Sequence, residues 1–114
     1  MNRNSLRKEL RDLIIERSLS TNVSRVLASG RTSHYYIDAK MTTLHPRGSY
    51  LIGKLILDAL KDYDVDAVGG YTLGADPIVS VVAALSSETE RPFLAFIVRK
   101  EPKKHGERRL IEGP

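Results

Sequence analysis

The chain has 114 residues, of which 41% are hydrophobic and 28% charged, and its formal net charge is +4. These values fit one globular domain with a modest core and exclude a chain that is disordered throughout. The absence of cysteine excludes disulfides, thiolate metal sites and a cysteine nucleophile, and no apolar run approaches the roughly 20 residues of a membrane-spanning helix.

The first half of the chain predicts two helices separated by a β-hairpin. Asn4 or Ser5 can cap the first helix, whose apolar residues recur at helical spacing. Residues 24–28 and 33–38 are rich in β-forming side chains and flank a short glycine turn, which indicates two strands. After a break at residues 44–48, apolar pairs four residues apart predict the second helix.

The second half has the pattern of a βαβ unit. A strand at residues 65–69 leads into a glycine-bracketed turn and a helix that starts at Asp76 and Pro77, where the aspartate can accept hydrogen bonds from exposed amides. The apolar run at residues 93–98 is typical of a strand covered on both faces, and another strand begins near residue 110. The sequence therefore predicts an α/β fold with a parallel sheet, preceded by the helix and the hairpin.

One segment carries the whole net charge. Residues 99–109, the basic segment, contain six Lys or Arg and two Glu, while the charges of the remaining residues balance. The segment follows the carboxyl end of an apolar strand, where open α/β sheets place their ligands, and its cations suit a phosphate group. A solvated surface loop and a nucleic-acid patch are the alternatives. The segment holds no aromatic residue for base stacking, which argues against nucleic acid.

Two further stretches can carry chemistry. Residues 69–76 join a strand to a helix N-terminus, so backbone N–H groups and the helix dipole favour an anion there. Taken alone, however, the turn fits better a tight connection in which glycine only satisfies the backbone geometry. Residues 27–38 fit either a plain hairpin with tyrosines packed on the core or a clamp for a flat polar ring. No spacing of His, Asp and Glu indicates a metal cage built from protein side chains alone.

Three motifs give the chain a specific resemblance. They are, in chain order, Ser29-Gly30-x-x-Ser33-x-Tyr35-Tyr36-x-Asp38, Thr43-Leu44-His45-Pro46-x-Gly48 and Arg99-Lys100-Glu101-x-Lys103-x-His105-Gly106. Together they resemble the orotate phosphoribosyltransferase family, which has the phosphoribosyltransferase-type, Rossmann-like α/β fold.

The resemblance implies transfer of ribose 5-phosphate from phosphoribosyl pyrophosphate (PRPP) to orotate, giving orotidine 5′-monophosphate and pyrophosphate in pyrimidine synthesis. It also implies bound Mg²⁺, a homodimer and a cytoplasmic location, with no nucleic-acid or membrane partner. The same fold acting on another base is an alternative, because a fold alone does not fix the substrate.

The resemblance also assigns individual residues. Pyrophosphate or PRPP would contact Arg99, Lys100, Lys103, His105, Thr72, Leu73 and Gly74. Of these, Lys103 and His105 would be catalytic, on a mobile loop (residues 99–109) shared between subunits. Orotate would contact Ser29, Gly30, Tyr36 and Ile37. Residues 1–48 would then form the base-binding region and residues 49–114 the front part of the α/β core.

The chain departs from the family pattern at three places. Ala28 and Leu73 stand where many family members have lysine. The family's PRPP motif, an apolar strand ending in two acidic residues and a Thr-Thr-Gly turn, does not occur in the 114 residues. We therefore expect a truncated, incomplete phosphoribosyltransferase domain with little or no activity by itself, and ordinary turnover by this chain alone would contradict that expectation.

Overall fold

The computed structural model describes residues 2–102, 104–106 and 109–114. The elements in chain order are α1 (Arg3–Arg17), β1 (Leu19–Val26), β2 (Thr32–Ile37), α2 (Lys40–Thr43), α3 (Pro46–Leu60), β3 (Ala67–Tyr71), α4 (Asp76–Ser86), β4 (Leu94–Val98) and β5 (Ile111–Glu112). Strands β1 and β2 form an antiparallel hairpin, and the other three form a sheet in the order β3-β4-β5. The predicted α/β class is confirmed.

Helix α1 begins earlier than its sequence pattern indicated. Asn2 has extended backbone angles and its Oδ1 accepts a hydrogen bond from the Ser5 amide at 2.9 Å, so Asn2 is the cap. The prediction of Asn4 or Ser5 as cap is wrong, because both residues already lie in the first turn. The apolar stripe of α1 faces α3, and Leu6 is its buried member.

The hairpin is confirmed, but β1 starts at Leu19 rather than at Ser24. Three polar residues follow Leu19 without strand alternation, and pairing with β2 makes them part of the strand, with a register shift between Thr21 and Arg25. At the tip, Gly30 has φ +85°, a conformation that glycine adopts without a steric cost.

A tight corner joins the hairpin to α3. Helix α2 (Lys40–Thr43) lies directly before the predicted break at residues 44–48 and is too short for a sequence pattern to reveal, and α3 begins inside that break, at Pro46. The hydroxyls of Ser18 and Thr42 share a buried hydrogen bond of 2.5 Å, which ties the end of α1 to α2. His45 caps α3 through Nδ1, which accepts from the Arg47 and Gly48 amides at 3.2 and 3.4 Å.

The βαβ unit is confirmed: β3 and β4 are parallel and α4 connects them. Strand β3 lies two residues later than predicted, so Gly70 and Tyr71 belong to the strand. Strand β5 pairs with β4 in the antiparallel sense. The expectation that β4 is covered on both faces is wrong within the described residues, since no residue of β4 is fully buried and Leu94 is 54% exposed.

The core is small and lies where α3 packs between α1 and α4. Its buried apolar residues are Leu6, Leu51, Val79 and Val82. The accessible surface of 8494 Å² exceeds the roughly 6,200 Å² typical of a folded monomer of this mass. The radius of gyration is 16.4 Å, against about 13 Å for a compact domain of this length. Much apolar surface of the sheet is therefore open to solvent.

None of the helices in the described ranges has the length and hydropathy that crossing a lipid bilayer requires.

We expect Gly48→Ala to destabilise the corner strongly. A Cβ at this position would lie 2.1 Å from the backbone oxygen of Thr42, so the corner must open. The matched control is Gly53→Ala, also inside α3, whose Cβ would meet a terminal methyl of Leu85 at 2.6 Å. Urea unfolding should show Gly48→Ala losing about 2 kcal/mol or more and Gly53→Ala losing clearly less. Equal losses would contradict the backbone clash.

The Glu9–Arg47 pair, which joins α1 to α3, predicts a pH dependence of stability. Arg47 donates from Nε to Oε2 of Glu9 at 2.5 Å and from Nη2 to Oε1 at 2.8 Å. These hydrogen bonds lower the pKa of Glu9 from its ordinary value of 4.5. A pKa lowered by folding adds stability above the unfolded-state pKa, and that stability is lost as pH falls through the folded-state pKa.

Glu9→Gln should therefore lower the free energy of unfolding at pH 7 and reduce its fall between about pH 5 and pH 3. Chemical unfolding at several pH values measures both effects. Glu16→Gln, an exposed carboxylate of the same helix with no ion pair to any described residue, should change neither. An unchanged pH profile in Glu9→Gln would show that the pair contributes nothing.

Candidate functional site

The β3–α4 turn (residues 72–75) is held by backbone hydrogen bonds on both sides. The Thr72 amide donates to the Val98 oxygen at 3.0 Å, which ties the turn to the end of β4. The Ala75 amide donates to Tyr71 and the Asp76 amide to Leu73, each at 3.1 Å. The turn is thus fixed to the strand before it, to the neighbouring strand and to the helix after it.

Two amides of this turn stay available. Among the described residues, the N–H groups of Leu73 and Gly74 have no hydrogen-bond acceptor. They lie at the N-terminus of the 11-residue helix α4, where the helix dipole favours negative charge. Adjacent unpaired amides at a helix N-terminus are a recurrent means of holding a phosphate group.

Glycine serves two different purposes next to these amides. A Cβ on Gly70 would lie 2.6 Å from the Ala75 Cβ, so glycine there lets the turn fold back onto the strand. A Cβ on Gly74 would meet no atom within 4 Å, so that side of the turn faces open space. The Leu73 side chain is 65% exposed. The turn is therefore open to solvent at both residues that carry the free amides.

Asp76 interacts differently from the prediction. Its side chain makes no capping bond to an amide, and the cap position is Ala75. Instead, its Oδ2 accepts a hydrogen bond of 2.6 Å from the Thr72 hydroxyl. The predicted place of Pro77 in the first turn is confirmed. Sequence reasoning missed the Thr72–Asp76 bond, although a spacing of four residues across a helix start is a signal for such a pair.

The basic segment starts beside this turn. Val98, whose oxygen accepts the Thr72 amide, directly precedes Arg99. The Arg99 amide donates to the Leu110 oxygen at 2.6 Å and its Nε donates to the Glu101 oxygen at 3.4 Å, so the segment is a loop closed at its base. Residues 72–74 and Arg99, all predicted to contact pyrophosphate, follow the ends of two parallel strands. They therefore lie at one edge of the sheet.

The outer part of the basic segment is exposed. Within the described ranges, Lys100, Lys104 and His105 make no hydrogen bond or ion pair. Gly106 has φ +71°, which favours glycine at this bend. Lys103, the first of the two expected catalytic residues, lies outside the described residues. Its role stays a prediction.

The four residues expected to contact orotate lie at two ends of the hairpin. Ser29 and Gly30 belong to the tip, where the Gly30 amide donates to Leu27 and the Ser29 hydroxyl accepts from Arg31. Tyr36 and Ile37 pair with Ser20 and Leu19 near the base. At about 3.3 Å per residue, the two pairs are separated by roughly 20 Å along the strand, so the hairpin does not bring all four together.

No group of three His, Asp or Glu side chains within residues 2–102, 104–106 and 109–114 could hold a metal ion. The turn presents N–H donors, which attract anions and repel cations. The free amides are therefore suited to a phosphate group rather than to a bare cation.

Known proteins share both sequence and fold with this chain. No protein-family model matches it. An orotate phosphoribosyltransferase of Aquifex aeolicus is 48% identical over 109 residues, which are 94% of this chain and 60% of that relative. A crystal structure of Mycobacterium tuberculosis orotate phosphoribosyltransferase with Fe(III) dicitrate has 43% identity and a TM-score of 0.76, covering 96% of this chain and 60% of that one.

A structure of the M. tuberculosis enzyme in complex with PRPP has 40% identity and a TM-score of 0.71, covering 96% of this chain and 57% of that one. The chain thus spans little more than half the length of the proteins it matches. By sequence and by fold, the chain belongs to the orotate phosphoribosyltransferase family.

Proposed function

We propose that the protein carrying this chain transfers ribose 5-phosphate from PRPP to orotate, forming orotidine 5′-monophosphate and pyrophosphate in pyrimidine synthesis. The observation that carries the proposal is the pair of unpaired amides at Leu73 and Gly74, on the same sheet edge as the start of the basic segment. A relative that covers 94% of this chain has the same activity in its name.

The chemistry of the reaction needs such an edge. As the bond from the ribose C1 to pyrophosphate breaks, negative charge accumulates on the leaving group. Donors that are already in place at that group stabilise the transition state more than the ground state, and removing one typically costs about 10²–10³ in rate. Leu73 and Gly74 would hold pyrophosphate through their backbone amides, Thr72 would shape the turn beside them, and Arg99 and Lys100 would add charge from the adjacent strand end.

We assign the catalytic contacts of the leaving group to Lys103 and His105. Lys103 would supply a cation, and His105 a proton or a hydrogen bond to a pyrophosphate oxygen. Gly106, with its positive φ, gives the loop a bend next to His105. A loop that closes only over bound substrate would exclude water during transfer and then release the products.

The orotate contacts are proposed for the hairpin. Tyr36 and Ile37 are partly exposed, at 36% and 49%, and offer an aromatic face and backbone groups to a flat ring. Ser29 and Gly30 lie at the hairpin tip, so they would contact a different part of the bound substrates from the part that Tyr36 and Ile37 contact. This division follows from the length of β2, which keeps the two pairs apart.

Mg²⁺ fits this site as a partner of the substrate. No described side chains form a metal cage, and Mg²⁺ in phosphoryl sites is commonly held by substrate oxygens and water with few protein ligands. The ion would supply positive charge to the pyrophosphate oxygens. The residues of this chain would hold the same oxygens through the amides of Leu73 and Gly74.

We further propose a homodimer in which the basic segment of one subunit serves the site of the other. The exposed Lys100 and Lys104, which make no hydrogen bond or ion pair to a described residue, support a role towards a second molecule. A cytoplasmic location is proposed because PRPP is a highly charged metabolite that does not cross a membrane unaided.

The alternatives are less well supported. A nucleic-acid module would explain the basic segment but not the free amides at the helix N-terminus, and the relatives have transferase names. The same fold acting on another base would keep the pyrophosphate contacts and change the hairpin. The names of the relatives favour orotate.

The function is tested by comparing two neighbouring lysines in a PRPP-binding titration with Mg²⁺. Lys103→Ala should weaken PRPP binding by about tenfold, because it removes a specific charged contact. Lys104→Ala removes the same charge from the same loop and should weaken binding only about twofold through general electrostatics. Equal losses in the two variants would favour a nonspecific basic patch and contradict the proposal.

Gly74→Ala should separate binding from folding. The new Cβ faces open space in the free protein, so the free energy of unfolding should change by less than about 1 kcal/mol. It would occupy the approach to the amides, and PRPP binding should weaken by about tenfold. Ser80→Ala, at an exposed position further along α4, is the control and should alter neither quantity. Undiminished PRPP binding by Gly74→Ala would place the phosphate elsewhere.

A further inference from the structure

Asp76 places a carboxylate next to the amides that are proposed to bind pyrophosphate. Its Oδ2 accepts a hydrogen bond of 2.6 Å from the Thr72 hydroxyl. Its Oδ1 is buried and has no hydrogen-bond partner among the described residues. A negative charge at this position opposes an anionic ligand, so the presence of Asp76 requires an explanation other than ligand contact.

Other roles for this carboxylate do not match its contacts. It is not a helix cap, because no amide donates to its side chain. It does not belong to any three-residue metal cluster in the described ranges. A direct contact with substrate is excluded for Oδ1 by its burial, and Oδ2 is already bonded to Thr72.

The bond to Thr72 has a clear geometric effect. Thr72 directly precedes the free amides, and its own amide is fixed by the Val98 oxygen at 3.0 Å. The bond to Asp76 fixes the Thr72 side chain to the first residue of α4, on the far side of the turn. Residues 73–75 are therefore enclosed by a side-chain bridge, and the directions of the Leu73 and Gly74 N–H groups depend on it.

We propose that Asp76 is a positioning residue that acts through the Thr72 hydroxyl to aim the Leu73 and Gly74 amides at the pyrophosphate group. The inference rests on the proposed function. Asp76 stabilises the conformation of the turn that binds pyrophosphate. The orientation of the amides strengthens binding by more than the negative charge of Asp76 weakens it. Because the hydroxyl proton of Thr72 is committed to Asp76, the phosphate contacts of this turn come from the backbone.

The sign of the effect of Asp76→Ala distinguishes positioning from simple electrostatics. Removal of a negative charge alone should strengthen binding of inorganic pyrophosphate. Loss of positioning should weaken it, by about tenfold. Thr72→Val, which removes the hydroxyl at constant shape and charge, should weaken binding at least as much, because the Asp76 charge remains, and Thr72→Ser should bind like the unmodified chain. Asp76→Asn keeps an acceptor for the hydroxyl and should bind better than Asp76→Ala.

The experiment is a titration of the chain with inorganic pyrophosphate, followed by the amide NMR signals of Leu73 and Gly74, with thermal unfolding of each variant as a check of folding. Undiminished binding in Thr72→Val or Asp76→Ala would overturn this inference and leave the proposed function intact. Absence of any shift of these two signals in the unmodified chain would overturn the proposed function and the inference together. If Asp76→Ala does not fold, the Thr72→Val and Thr72→Ser pair decides the question.

Discussion

The hydrogen bond from the Thr72 amide to the Val98 oxygen is the interaction on which the candidate site depends. It continues the parallel pairing of β3 and β4 by one step beyond the last strand residues. Both strands therefore end at the same edge, and the free amides of the β3–α4 turn lie beside the start of the basic segment. Under the proposed function, backbone groups would supply the anion contacts there, so no side-chain cation would be needed at Leu73.

Sequence patterns predicted the elements that are fixed by local periodicity. The apolar pairs of α3 and the βαβ unit followed from spacing alone, because both elements pack one face against a neighbour. The corner around α2 did not follow from the sequence. It depends on the Ser18–Thr42 bond and on the close approach of Gly48 to Thr42, and each contact joins residues that no short pattern relates. The early start of β1 was missed for the same reason, since the polar run after Leu19 is part of a strand only through its pairing with β2.

The candidate site was predictable to a different degree in its two halves. The β3–α4 turn followed from glycine spacing and a helix start, because such turns are local structures, whereas anion binding by this turn stays a prediction. The orotate contacts on the hairpin were assigned from motif resemblance, which identifies residues but gives no distances between them. The separation of Ser29 and Gly30 from Tyr36 and Ile37 was therefore not predicted. The role of Asp76 was misread because capping and bridging use the same residue type at neighbouring positions.

Strand β3 has a further consequence for the behaviour of the chain in solution. Among the described residues, β4 borders it on one side only, and its other edge offers unpaired backbone groups. Edges of this kind can template pairing with another molecule. Asp66 directly precedes the strand with its side chain 98% exposed, and a charge beside an open edge acts as a gatekeeper against self-association. The carboxylate that opposes this pairing lies at the end of the sheet opposite to the candidate site.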